Sequence, residues 1–435
     1  MESLFKRIDN SGIVAFRIVF GIIIFIETSG ALITGWVYDI FIEPKYVFNY
    51  ISIEWLKPLQ GNGMYFYYAT MALLGLAIAS GLFYRLSSVL FAFMWWGSYL
   101  MQKAHYNNHY YLMLLLAFLL IFIPSHKRLS LDVKIGMVTE EKTCSAWCHY
   151  ILVFQISIVF IFAGIAKVNP DWLAMKPLSY KFDECSSWPT VGALFRSDLM
   201  KYLIFYGGLC FDLFIVPLLL WSKTRKYAVV LAIFFNLFNA IVFQVGTFPF
   251  LMIGALVLYF PPSAITQILF NTHTENISSL KVEEKGTAIA YILMVYALIQ
   301  IYLPLRHWHY EGDVNWNEEG YSMAWRMMLN SKHGDLSFII KDAKGRMLMH
   351  DYPQNKISIG QYNSMCSDPD MIWQYVQYLK QEMEEKGEKS VQIFADSHLS
   401  LNGRDLEVFI DPKADLAQVT WHHFKHSDWI IPLRY

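Results

Sequence analysis

Apolar residues in this chain run in long blocks separated by short polar connections. The blocks cover residues 13–35, 65–84, 86–103, 109–124, 150–167, 202–221, 227–246, 248–261 and 287–305. A helix needs about 20 apolar residues to cross the hydrocarbon core of a bilayer, and most blocks approach that length. The pattern predicts an α-helical polytopic membrane bundle of about nine spans over residues 1–305. The eighth block, FPFLMIGALVLYF, is short and reads either as a re-entrant piece or as a span helped by bilayer thinning. The first follows MESLFKRIDN without a small-residue cleavage site, so it reads as a retained helix.

Residues 306–435 change character. They hold eight of the thirteen histidines. SFIIKDAKGRMLMHDYP predicts a hairpin around Ala343-Lys344-Gly345, and SVQIFADSHLSLNGRDLEVFIDP a second one turning at Asn402-Gly403. DMIWQYVQYLKQEMEEKGEK between them has helical spacing and ends at a glycine. A small extracytoplasmic α+β or β-sandwich-like domain is expected. Cationic loops favour the cytoplasm. Lys6 and Arg7 put the N-terminus there, and nine spans add Arg85, Lys127/Arg128/Lys134, Lys223/Arg225/Lys226 and Lys281/Lys285 to the same side. Residues 306–435, His109 and Lys167 then share the outer side, whether that is periplasmic, extracellular or endoplasmic-lumenal.

Composition sharpens this picture. Only 16% of residues are charged and 55% are hydrophobic, against about 25% charged in soluble domains. An ordinary cytosolic enzyme is disfavoured, and the net charge of −1 gives no reason to expect a nucleic-acid partner. The bilayer itself is the expected partner. Five cysteines without a CxxC exclude a disulfide scaffold or a thiolate zinc site. Cys185 and Cys366 both fall on the expected outer side, so they are either a disulfide or two free thiols.

Lys167 closes the apolar run ILVFQISIVFIFAGIAK. It is either a snorkelling lysine or a base whose apolar surroundings disfavour the ammonium. The four-residue spacing of His105 and His109 would put them on one face if a single helix held both, as an interfacial pair or, less expectedly, metal ligands. Asn236 and Asn239 lie three apart, bonding either neighbouring helices or a ligand. Arg17, Glu27 and Asp212 are intramembrane ionisable residues whose partners the sequence does not name. His307, His309, His422, His423 and His426 read as solvated surface histidines rather than a metal site. No Walker loop, GxSxG or dinucleotide fingerprint is present.

Several stretches together resemble the vitamin K-dependent γ-glutamyl carboxylases and their bacterial relatives, which share the HTTM domain. They are AFRIVFG (15–21), GLFYRLSSVLF (81–91), NNHYYL (107–112), FIFAGIAKVNPDWL (160–173) and FNAIVFQVGTF (238–248). Further on come NWNEEGYSMAWRMM (315–328), FIDPKADLAQVTW (409–421) and SDWIIPL (427–433). The resemblance implies an enzyme that uses reduced vitamin K as cosubstrate, with O2 and CO2 and no metal, on a glutamate-containing peptide or protein. Lys167 would deprotonate the hydroquinone. Oxygenation then yields the epoxide and a strong base, which removes a glutamyl γ-proton so that the carbanion captures CO2.

By the same resemblance His109 serves the carbanion and carboxylation step. Asn108, Asn239, Asn236, Trp316 and Arg326 fall among quinone- or substrate-binding positions. Three positions depart from the vertebrate pattern. Ala166 stands for a second lysine, Asn236 for an intramembrane histidine and Asp313 for a tyrosine. An anion at Asp313 would repel a glutamyl peptide unless a cation such as Arg326 neutralised it. Two alternatives remain open: a quinol oxygenase that does not carboxylate, and a non-enzymatic membrane protein that binds peptides.

Overall fold

The computed structural model describes residues 2–271, 286–388 and 390–434, so Lys281 and Lys285 of the topology argument lie outside the described residues. The apolar blocks are helical. The first seven helices are α1 (Ser11–Ile33), α2 (Gly63–Ser80), α3 (Tyr84–Met101), α4 (Asn108–Phe122), α5 (Trp147–Ala166), α6 (Asp198–Leu220) and α7 (Arg225–Val242). α8 (Phe248–Ala255) runs through a 3-10 turn into α9 (Pro262–Phe270) with a bend of 107°, and α10 (Gly286–Leu305) follows.

Among the described residues six helices are long and apolar enough to cross a membrane, or seven if the bent pair is one span. The expected count of nine is therefore not reached. α4 has 15 residues, about 22 Å at 1.5 Å per residue, short of the core thickness. α3 carries Ser87, Ser88 and Ser98 on its buried side, which dilutes its apolar character.

α1 and α5 are the most enclosed helices, whereas α10 presents nearly its whole circumference outward. α1 and α2 meet backbone to backbone at Gly21 and Gly75. A Cβ on Gly21 would lie 2.5 Å from the Ala79 nitrogen. Small residues permit such approaches, and dispersion between the backbones then holds the pair. The buried Arg17 supplies the polar counterpart. Its guanidinium donates to the carbonyls of Ser125 (2.8 Å), Leu129 (2.6 Å) and Ala79 (3.3 Å), fastening the 125–129 turn to the end of α2. Glu27 also has a partner, the hydroxyl of Tyr110 at 2.6 Å. α10 is tied to α5 by Tyr296, whose hydroxyl donates to the buried Gln155 at 2.6 Å.

Arg7–Asp9 (β1) and Thr143–Ser145 (β2) pair at one end of the bundle. The C-terminal region holds one antiparallel sheet, with strands β3 (Lys332–Lys341), β4 (Met347–Asp351), β5 (Gln392–Leu401) and β6 (Glu407–Val408) in the order β4-β3-β5-β6. Both expected hairpins form, with Gly345 at φ 80° in one turn and Asn402 and Gly403 at φ 54° and 77° in the other. The expected intervening helix is α11 (Pro369–Glu385). Its apolar face (Met371, Ile372, Tyr375, Val376, Leu379, Met383) packs on Leu336, Phe338 and Ile340 of β3. The arrangement is thus α+β and not a sandwich, because a helix supplies the cover a second sheet would otherwise give.

This region sits against the bundle. Phe48, from the connection between α1 and α2, is fully buried in its core. Lys103 pairs with Asp370 (2.5 Å) and Asp368 (3.2 Å). Asp171 receives two bonds from Arg404 (2.6 and 2.7 Å) and one from Asn402 (2.8 Å).

Candidate active site

The stretch AGIAKVNPDWL builds one wall. α5 ends at Lys167, and the side chain of Asn169 accepts from the Trp172 backbone at 3.0 Å, starting a short helix, Pro170–Leu173, with proline at its first turn. This turn sends neighbouring residues in opposite directions. Trp172 tucks beneath the lysine, with its ring centroid 5.2 Å from Nζ. Asp171 faces the C-terminal region and holds Arg404. Lys167 is 7% exposed and donates to Asp212, 4% exposed and midway along α6.

The second wall is the start of α4. Asn107 caps it, accepting from Tyr110 N at 2.8 Å. His109 lies against Tyr110 (4.7 Å between centroids) and Phe248 (6.4 Å). Gly246 has φ 61°, a backbone conformation that suits glycine, and its missing side chain leaves room beside His109 Nε2. The roof is the segment 321–328 after α10. Met323, Trp325 and Met328 all have positive φ, which is costly for non-glycine residues. The fold holds them there through Tyr106, whose hydroxyl accepts from Met323 N (2.6 Å), through Asn108, whose amide donates to the Arg326 carbonyl (3.2 Å), and through Trp325, packed on Tyr111.

Between these walls lies a cavity of about 890 Å3. Asn108, His109, Lys167, Asn236, Asn239 and Arg326 all line it, so six of the seven expected site residues converge. Trp316 does not. It is buried among the C-terminal core residues beside Phe409, donating to the Ile431 carbonyl at 2.8 Å. Its position in a matched stretch placed it near the site, but its size and indole N–H serve the domain core. Asn236 spends its amide on the Ala232 carbonyl of its own helix. Arg326 donates to Asn315 at 3.1 Å, while its Nε is buried without a hydrogen-bond partner among the described residues. Burial draws this guanidinium below its ordinary value, against the opposing pull of Tyr321, Asp313 and Glu318. Asp313 itself caps the turn Val314–Asn317 by accepting from Asn315 N at 2.7 Å and does not line the cavity.

The remaining walls are apolar. Leu203, Phe214, Leu231 and Phe234 line the cavity and are also largely exposed on the outer faces of α6 and α7. The space therefore reaches the surface between these two helices, where their outer faces are apolar. The other histidines stay apart. His426 bonds Glu319 and His307 bonds the Pro304 carbonyl, and no group of three potential metal ligands forms among the described residues. Cys185 and Cys366 are free thiols buried in two separate cores.

An HTTM domain model matches residues 5–263, and the model of the vitamin K-dependent gamma-carboxylase lumenal domain matches residues 285–435. The chain belongs to the vitamin K-dependent gamma-carboxylase family. The two matches meet at the cavity, the HTTM part supplying Lys167 and His109 and the lumenal part Arg326. No solved structure matches the chain.

Sequence reasoning singled out Asp212 but not its partner, since 45 residues separate it from Lys167. Tyr106, Tyr321 and Trp172 also line the cavity and were not foreseen. Of these Trp172 and Tyr321 carried a signal, each lying within a matched stretch, whereas Tyr106 falls just before one.

Proposed function

We propose that the chain is a quinol-dependent membrane carboxylase. It would convert protein glutamate to γ-carboxyglutamate, coupled to epoxidation of a reduced naphthoquinone, with O2 and CO2 as further substrates. The observation that carries this reading is the single cavity lined by both Lys167 and His109, with largely apolar walls and an edge at the lipid-facing surface. A lipid-soluble quinol can enter it without crossing water.

In this reading Lys167 Nζ accepts the hydroquinone proton. His109 assists at the glutamyl carbon, and Asn108 and Asn239 orient the quinol or the peptide. A glutamyl γ-proton is too weakly acidic for an ordinary side-chain base, so the strong base must be generated where water is excluded. The apolar walls suit that demand. Asp313, engaged in a helix cap, puts no carboxylate into the cavity wall, and Arg326 offers a cation there. Both features favour acceptance of an anionic glutamyl group over the alternative of quinol oxygenation alone.

Residues 1–305 would form the membrane domain and 306–435 an extracytoplasmic domain, with the N-terminus in the cytoplasm and the more polar α3 and the short α4 completing the crossings. Cysteines introduced at Lys344 and Lys223 test the orientation. The first should react with an impermeant reagent from outside and the second should not. The reverse pattern refutes it.

The decisive assay for function supplies purified protein with reduced naphthoquinone, O2, labelled CO2 and Glu peptides. Epoxide and fixed label should both appear. Epoxide without label points to the oxygenase, and neither product removes the enzymatic reading.

A further inference from the structure

Lys167 poses a chemical difficulty for its own role. An ammonium has no lone pair and cannot accept a proton, yet the lysine is buried in direct contact with a carboxylate, the arrangement that ordinarily keeps an amine protonated. Lys167 Nζ donates to Asp212 Oδ2, and both side chains are more than nine-tenths buried. No second cation is paired with Asp212 among the described residues. The other titratable side chains lining the same cavity are His109, Cys210, Tyr106, Tyr321 and Arg326.

We propose that Asp212 is a positioning residue that stores the proton Lys167 must shed, so that the pair rests as a neutral amine beside a neutral carboxylic acid. The inference rests on the quinol reading for its function. Separating two full charges from water is expensive unless hydrogen bonds compensate them fully. Moving one proton across the existing bond removes both charges. In that step a Lys167 Nζ–H bond breaks and an Asp212 Oδ2–H bond forms. When quinol binds, the acid O–H turns away from Nζ and frees its lone pair; the quinol O–H bond breaks and the proton joins that lone pair. The products are a quinolate anion, the Lys167 ammonium and the still neutral Asp212 acid. Net charge in the cavity is unchanged throughout, and no proton need come from or go to water. The acid also withdraws the negative charge that would otherwise oppose the quinolate.

Infrared spectroscopy of the whole protein in lipid nanodiscs reads the proton directly. The wild type should show a C=O band of a protonated carboxylic acid that disappears in Asp212→Asn and shifts, without disappearing, in Asp212→Glu. Quinol turnover should fall roughly 100-fold in Asp212→Asn, the scale of a lost proton-transfer partner, and Asp212→Glu should recover most of it. A wild-type spectrum with no band assignable to Asp212 overturns the proposal, as does undiminished quinol turnover by Asp212→Asn. If wild type shows the band but no quinol turnover, the proton assignment stands and the quinol reading falls. The Glu variant keeps the test open should the Asn variant fail to fold.

Discussion

At the scale of single residues, an apolar helix that ends in lysine is ambiguous until its neighbours are known. Snorkelling would carry Lys167 to the interface. Instead it turns inward, between Trp172 and Asp212. Lys167 is buried, and its removal leaves Asp212 without its partner, which a neutral acid tolerates where a buried carboxylate would not. Lys167→Ala should therefore fold and lose quinol epoxidation by at least about 100-fold. Lys167→Arg should fail equally, because guanidinium does not give up its proton. Epoxide formation near the wild-type rate by either variant would remove Lys167 from the chemistry. His109 stands on another wall with no hydrogen bond to its ring among the described residues, which suits a group waiting for substrate. His109→Ala should keep epoxide formation and lose CO2 fixation, read as the ratio of label to epoxide. Parallel loss of both products in a folded variant would show that the two steps share the histidine.

At the scale of helices, two glycines make opposite predictions. Gly21 lies where α1 touches α2, and a Cβ there would come within 2.5 Å of backbone. Backbone cannot yield as a flexible side chain can, so Gly21→Ala should cost about 1–3 kcal/mol through overpacking. A lower melting temperature in detergent checks this. Gly207, on α6 at the cavity edge, has nothing within 4 Å of the position a Cβ would take. Gly207→Trp should therefore leave the melting temperature nearly unchanged and narrow the gap towards α7. Turnover of a long-tailed quinol should fall several-fold more than turnover of one without a tail. Equal effects on both would mean that the quinol does not use the gap between α6 and α7.

For the whole molecule, the join between bundle and C-terminal region depends on charge. Burial by itself would raise Asp171, but the bonds from Arg404 and Asn402, with help from Lys176, outweigh it and hold the carboxyl below its ordinary value. A depressed carboxyl stabilises the folded form fully above the unfolded value, near pH 4, and loses that contribution as pH falls through the folded value. Docking should accordingly weaken only in acid, below about pH 4. Asp171→Asn should weaken it already at neutral pH and flatten the acid dependence. Limited proteolysis of the connection between the two parts across pH would show both effects. If wild type and variant are cut alike at neutral pH, this ion pair does not govern docking.

Local pattern determined the helices, the two hairpins, the amphipathic α11 and the positions of Lys167 and His109. Each depends on residue type and near-neighbour spacing, which a chain carries on its face. The partners of Arg17, Glu27 and Asp212 depend on which distant segments meet: the 125–129 turn, the start of α4 and the end of α5. Nothing in the local spacing encodes those meetings. The same limit applies to Trp316, whose match to a family stretch could not say which face it would turn to, and to the span count, where hydropathy marks a helix without its length or bend. Tertiary structure alone decided that Lys167 and His109 share one cavity, because closing it takes walls from α4 to α8 and a roof folded back from beyond α10.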